Sequence, residues 1–274
     1  MSAVPKLVES RSRAADAPPI VTLDGVSFSV PSGSGRLSIL EGINLQIRAG
    51  EFLSIIGGSG CGKTTLLRLI GGLNTPTAGS ILFRGEQITK PSRKRPVVFQ
   101  DYTKALLPWR TVVGNIELAL DTRSPRPDAR SKAAIVERLL AQVGLTEAAG
   151  RYPRQLSGGM QQRLQIARCL AMEPELLLMD EPFGALDAMT RQTLQDEVAR
   201  IAQETGMTVV FITHDIEEAI YLGDRVCAME SRPGRISAVL DIDLKHPRDQ
   251  LKTREEETFL AYRHELFNYL PRAH

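Results

Sequence analysis

Nowhere in its 274 residues does this chain hold the about 18 to 20 consecutive apolar residues that a transmembrane helix requires. If the protein serves a membrane, partner chains must do the spanning. Cysteine is scarce: Cys61, Cys169 and Cys227 lie far apart with no Cys-x-x-Cys spacing, which excludes a disulfide framework and suits a reducing cytosol. Net charge is nearly absent as well. Lys and Arg number 34 against 32 Asp and Glu, so the electrostatic footprint of a nucleic-acid binder is missing and no nucleic-acid partner is expected. The densest basic run, Arg93-Lys94-Arg95, lies between Pro91 and Pro96 and reads as a solvated turn. Residues 1–19 are polar, with Arg11, Arg13 and Pro18-Pro19, and lack the apolar centre of a signal peptide; they read as a flexible leader. No internal repeat or low-complexity tract interrupts the rest.

What is present is ordinary globular composition, 42% hydrophobic and 24% charged, in a chain long enough to bury a sizeable core. Val26, Phe28 and Val30 alternate, as do residues from Ile39 to Ile47, and a Pro-Ser-Gly-Ser-Gly turn at 31–35 separates them, predicting two antiparallel strands. A short apolar strand, Phe52 to Ile56, then runs into a glycine-rich loop and a helical pattern from Lys63 to Ile70. Residues 111–171 are mostly helical, broken near 124–127 and 150–153, which suggests a helical subdomain over about 101–171. Beyond it strands and helices alternate. Strands are predicted at Leu176 to Met179, Thr208 to Ile212, Arg225 to Met229 and Ile236 to Ile242. Helices are predicted from Asp187 to Glu204, from His214 or Asp215 onward, and from Glu255 to Leu270. The fold class is therefore α/β, a parallel sheet flanked by helices with an N-terminal antiparallel β subdomain and a helical subdomain.

The loop Gly57-Gly58-Ser59-Gly60-Cys61-Gly62-Lys63-Thr64-Thr65 fits the P-loop pattern in its required strand-to-helix context. Glycines free the backbone N–H groups to curl around phosphates, and the helix N-terminus adds partial positive charge. Lys63 would reach the β and γ phosphates and the Thr64 hydroxyl would ligate Mg²⁺. Leu176-Leu177-Leu178-Met179-Asp180-Glu181 ends an apolar strand in two carboxylates, at the strand edge where open α/β sheets bind ligands. Asp180 is expected to hold Mg²⁺, and Glu181 to polarise the water that attacks the γ phosphate.

Many nucleotide hydrolases share those two motifs. Leu156-Ser157-Gly158-Gly159-Met160-Gln161-Gln162-Arg163 narrows the field, because it resembles the signature of the ABC ATPases. The resemblance runs from about residue 20 to 270. It implies a second anion site at Ser157, Gly158 and Gly159, facing the γ phosphate bound to another subunit. It likewise implies that Gln100 in Phe99-Gln100-Asp101 senses Mg²⁺ and the attacking water, that Ala185-Leu186-Asp187 is the D-loop, and that His214 in Thr213-His214-Asp215 contacts the γ phosphate. The family usually stacks an aromatic residue on adenine; that position falls at Val30 here, with Phe28 two residues earlier as a substitute. Leu106-Leu107-Pro108-Trp109-Arg110 and Arg232-Pro233-Gly234-Arg235-Ile236 look like the nitrate, taurine and aliphatic-sulfonate importer group.

The resemblance implies an ATPase subunit of a bacterial importer on the cytoplasmic face of the inner membrane. Two copies would sandwich two ATP molecules with Mg²⁺ and drive two transmembrane permease subunits, fed by a periplasmic or lipid-anchored substrate-binding protein. The chain stops soon after residue 270, without the regulatory domain that sugar-importer ATPases often append. A soluble ABC ATPase of DNA repair or translation would carry an inserted coiled coil or tandem cassettes. A small-molecule kinase would not explain Leu156 to Arg163.

Overall fold

Two long strands, β1 (Pro19–Ser32) and β2 (Gly35–Arg48), pair antiparallel and bury Ile43, Leu45 and Ile47 together, as their alternation predicts. With β4 (Ala78–Phe83) and β5 (Glu86–Gln87) they make a four-stranded antiparallel sheet of order β2-β1-β4-β5. The computed structural model describes residues 18–33, 35–101, 105–184 and 186–269. Residues 1–17 of the expected leader, Ser34 of the expected turn and Leu270 of the expected last helix lie outside these. Pro19, assigned to the leader, instead opens β1.

The second sheet has the order β10-β9-β3-β8-β7-β6, built from β3 (Phe52–Gly57), β6 (Val97–Val98), β7 (Leu176–Asp180), β8 (Thr208–Ile212), β9 (Arg225–Glu230) and β10 (Arg235–Asp241). All neighbours pair parallel except β10, which is antiparallel to β9. Strands β3, β7 and β8 are buried throughout, which is why they read as continuous apolar runs rather than alternating ones. Their alternation decides only which layer each side chain enters. Leu53, Ile55, Leu178 and Val210 pack towards α1 (Lys63–Gly71) and the antiparallel sheet. Phe52, Ile56, Met179 and Phe211 pack on the other face, with side chains from α5 (Ala188–Thr205), α6 (Ile216–Leu222) and α8 (Glu257–Tyr269).

A third core joins α2 (Val112–Leu120), α3 (Ala129–Gln142) and α4 (Gly158–Leu170). Thr111, Asp128 and Ser157 cap these helices through side-chain oxygens that accept backbone N–H bonds. Tyr102, Thr103 and Lys104, at the start of the expected helical subdomain, lie outside the described residues. The expected terminal helix is two pieces, α7 (Lys252–Glu255) and α8, because Glu256 is extended. The basic run is not a solvated turn at its last residue. Arg95 is 6% exposed, donates to the Ile70 carbonyl at 2.6 Å and to the Lys90 carbonyl at 3.1 Å, and lies over the Phe83 ring. The C-terminal carbonyls of α1 need donors, and a guanidinium supplies them with charge of the favourable sign.

Candidate functional site

The β3–α1 connection is shaped by close packing on both sides. Gly57 has no room for a Cβ, which would sit 2.6 Å from Cys61 Sγ and 2.7 Å from the Met229 carbonyl. Gly62 takes φ +96° as the cap of α1, and a Cβ there would meet Leu40 at 2.6 Å. Ser59 and Gly60 form the exposed crest beside the half-buried Gly58, and the Cys61 N–H bonds back to the Gly58 carbonyl at 3.3 Å. Cys61 is buried beneath it and Thr65 lies half-buried in the first turn of α1. Lys63 is 6% exposed; its Nζ donates to the carbonyls of Gly57 at 2.8 Å and Gly58 at 3.2 Å, holding the ammonium inside the loop.

Three further segments converge there. Thr64 Oγ1 donates to Asp180 Oδ1 at 3.0 Å, joining α1 to the end of β7. Burial pushes the Asp180 carboxyl above its ordinary range and the charge of Glu181 adds to this, while the Thr64 hydroxyl opposes it. Glu181 has φ +45°, a left-handed conformation uncommon for a residue with a side chain. That turn ends β7 and presents the carboxylate to two neighbours: Gln100 Nε2 donates to Oε2 at 3.0 Å, and His214 Nδ1 lies 3.5 Å from the same oxygen. Gln100, Glu181 and His214, predicted separately, thus meet at one point.

Ser157, Gly158 and Gly159 do not join them. Among the described residues no hydrogen bond or ion pair links them to the P-loop or to the acidic strand end. They open α4, and a Cβ at Gly159 would lie 3.1 Å from Thr190 Cγ2 and 3.3 Å from Leu186 Cδ2. Of the D-loop residues, Ala185 is outside the described residues; Asp187 caps α5 and accepts from the Thr190 N–H at 3.0 Å. Phe28 is half-buried, packed against the core opposite Leu40, whereas Val30 pairs with the exposed Leu37 outside that cluster.

Two further residues fix loops that the phosphate-facing motifs do not explain. Asn115 is fully buried and bonds to Leu107, Arg110 and Thr111 through its amide, pinning the loop on which Trp109 stands 70% exposed. Leu106 of the same segment is buried, so only part of Leu106 to Arg110 faces outward. Gly234 lies against the P-loop: its N–H bonds to Ile39, its carbonyl accepts from Glu41, and a Cβ on it would overlap the Cys61 carbonyl. The motif at 232–236 was visible in sequence, but its contact with the P-loop was not.

Comparison with known proteins matches residues 40–184 to a family described as ABC transporter. The chain is 48% identical over 244 residues to the nitrate import ATP-binding protein NrtC of Synechococcus elongatus, covering 89% of this chain but 37% of that one. It is 43% identical over 251 residues to the bicarbonate transport ATP-binding protein CmpD of Synechocystis, covering 91% of this chain and 88% of that protein. Among solved structures, the dimeric post-hydrolysis state of the ATP-binding cassette MJ0796 bound to ADP and Pi aligns with TM-score 0.74 and 32% identity, over 82% of this chain and 100% of that one.

Proposed function

This chain belongs to the ABC transporter family and is an ATPase, and on that premise we propose that it powers a bacterial importer of a small oxyanion. The observation that carries the reading is the convergence of Thr64 on Asp180, and of Gln100 and His214 on Glu181, around one P-loop.

Lys63 leaves its loop carbonyls for the β and γ phosphates, while the backbone N–H groups of residues 58–65 and the α1 N-terminus hold the remaining phosphate charge. Glu181, oriented by Gln100 and His214, accepts the proton of the attacking water. His214 then lies on the γ-phosphate side. The donor set fits Mg²⁺: a hydroxyl, a carboxylate and an amide are hard oxygen ligands, here from Thr64, Asp180 and Gln100. Mg²⁺ characteristically keeps few protein ligands and takes the rest from phosphate and water, which three such oxygens allow. Bound there, Mg²⁺ would neutralise charge on the phosphates.

Ser157, Gly158 and Gly159 are separated from the P-loop of their own chain and serve the nucleotide of a second copy. Two chains therefore sandwich two ATP molecules, as the dimeric relative's architecture supports. Val30 gives adenine an apolar rather than an aromatic contact. No helix of the described residues is long and apolar enough to cross a membrane. Family membership supports two separate permease subunits that carry the path, with this subunit on their cytoplasmic side and a substrate-binding protein beyond. The names of relatives at 48% and 43% identity support nitrate or bicarbonate as cargo, and the motifs at 106–110 and 232–236 extend the class to taurine and aliphatic sulfonates.

Replacing Lys63 by Ala should abolish ATP hydrolysis and strongly weaken ATP binding, because the phosphates lose their fixed cation. Wild-type turnover in that variant would remove the site.

A further inference from the structure

Glu218 is a buried carboxylate with no part in the chemistry above. It is 7% exposed on α6, and burial raises its pKa above the ordinary carboxylate range. Such a group is costly to retain unless its oxygens are satisfied, and both are. Thr213 Oγ1 donates to Oε2 at 2.6 Å, and Gln195 Nε2 donates to Oε1 at 2.9 Å. Arg191 Nε lies 3.9 Å from Oε1.

Each partner leads to a different part of the site. Thr213 precedes His214, its N–H bonds to the Ile55 carbonyl of β3, and its hydroxyl also accepts from the Asp215 N–H at 3.0 Å. Gln195 and Arg191 stand on α5. Arg191 Nη2 donates to the Leu186 carbonyl at 3.1 Å, and Leu186 with Thr190 is the surface against which Gly159 packs closely, a Cβ there lying 3.1–3.3 Å from their side chains. The Gln195 amide cannot turn over freely, since its oxygen accepts from Gln250 Nε2 at 3.2 Å.

We propose that Glu218 is a positioning residue that ties the His214 loop to α5, and through Leu186 and Thr190 to the Ser157–Gly159 segment. The end of the chain that meets its own γ phosphate and the end that serves the second copy then move as one unit. This rests on the nucleotide sandwich proposed above. The tie is specific to a carboxylate, because Glu218 must accept on both oxygens, and glutamine would turn a donor towards one of its two donor partners.

The test uses the full-length chain and four variants. Glu218→Gln should lower kcat about ten- to a hundredfold, the scale of a misplaced catalytic group, with KM for ATP nearly unchanged since no P-loop atom touches Glu218. The double change Glu218→Gln with Gln195→Glu reverses donor and acceptor, keeps the bond from Gln250 and should restore most of kcat. Thr213→Val, which preserves side-chain shape and removes the hydroxyl, should reproduce the loss if Glu218→Gln fails to fold. Melting temperatures are measured beside each. An unchanged kcat in folded Glu218→Gln, a loss carried by KM, or a folded double variant that stays as slow as the single one would overturn the proposal. Lys63→Ala separates the two readings: if it is inactive while Glu218→Gln is normal, only the tie is refuted; if it turns over normally, the site itself is.

Discussion

Replacing Gly234 by Ala tests how tightly the P-loop is held from behind. Gly234 has no left-handed φ, so alanine is conformationally admissible and only space opposes it. A Cβ would overlap the Cys61 carbonyl, sit 2.9 Å from the Ile39 carbonyl and 3.0 Å from Leu40 Cδ2. Leu40 is fully buried and already abuts Gly62, so it cannot yield without pressing on the α1 cap. Either the turn after β9 or the loop itself must move by roughly 1 Å to restore ordinary contact distances. Overpacking of this kind costs about 1–3 kcal/mol. In a chain of this size each kcal/mol lowers Tm by about 2–4 °C. If the loop moves, ATP affinity falls too, about tenfold for each 1.4 kcal/mol of lost binding. Circular-dichroism melting and calorimetric ATP titration read both effects. Gly150→Ala is the control: it is exposed, has no left-handed φ and no neighbour within 4 Å of a Cβ, and should stay within about 0.5 kcal/mol of wild type. A Gly234→Ala protein that melts and binds ATP like wild type would refute the buttress.

Asp180→Asn should raise the Tm of the nucleotide-free chain, and by more at pH 7 than at about pH 4. The folded carboxyl titrates above its unfolded value because of burial first and Glu181 second, so its contribution to stability is present below the unfolded pKa of about 3.9 and is lost as pH rises through the folded value. A Tm difference that is constant or shrinks with pH, measured by scanning calorimetry, contradicts that assignment. Trp109→Ala should leave stability within about 0.5 kcal/mol, because the ring is 70% exposed and Asn115 holds its loop independently; an exposed aromatic on a fixed loop is suited to anchor the permease, so pull-down of that partner should weaken. Normal pull-down would reject docking through this residue.

The parts of the site legible in sequence are those whose chemistry is local. A P-loop needs its glycines, lysine and threonine within nine consecutive positions, and Asp180 and Glu181 follow a strand apolar enough to be recognised as buried. The convergence of Gln100 and His214 on one oxygen of Glu181 needed the sheet order, which brings β7 beside both β6 and β8. Arg95 was misread because a charge between two prolines looks solvated, and only the end of α1, distant in sequence, reveals its role as a donor. Glu218 was invisible for a similar reason. Next to Glu217, which pairs with Arg254 and Arg263 near the surface, it reads as another exposed acid, yet one helical position turns it inward to Thr213 and Gln195. The left-handed Glu181 and the crowding of Gly234 depend on contacts that no residue pattern encodes.

In the proposed sandwich two copies of this chain close around ATP, with Glu181 required for hydrolysis and not for closure. Glu181→Gln keeps the length and an acceptor oxygen near Gln100 and His214 but removes the base. Size-exclusion chromatography with light scattering, run on this variant with ATP and Mg²⁺, should give a dimer of long lifetime and no phosphate release, reverting to monomer when ATP is withheld. A monomer at saturating ATP, or hydrolysis at the wild-type rate, would contradict the account.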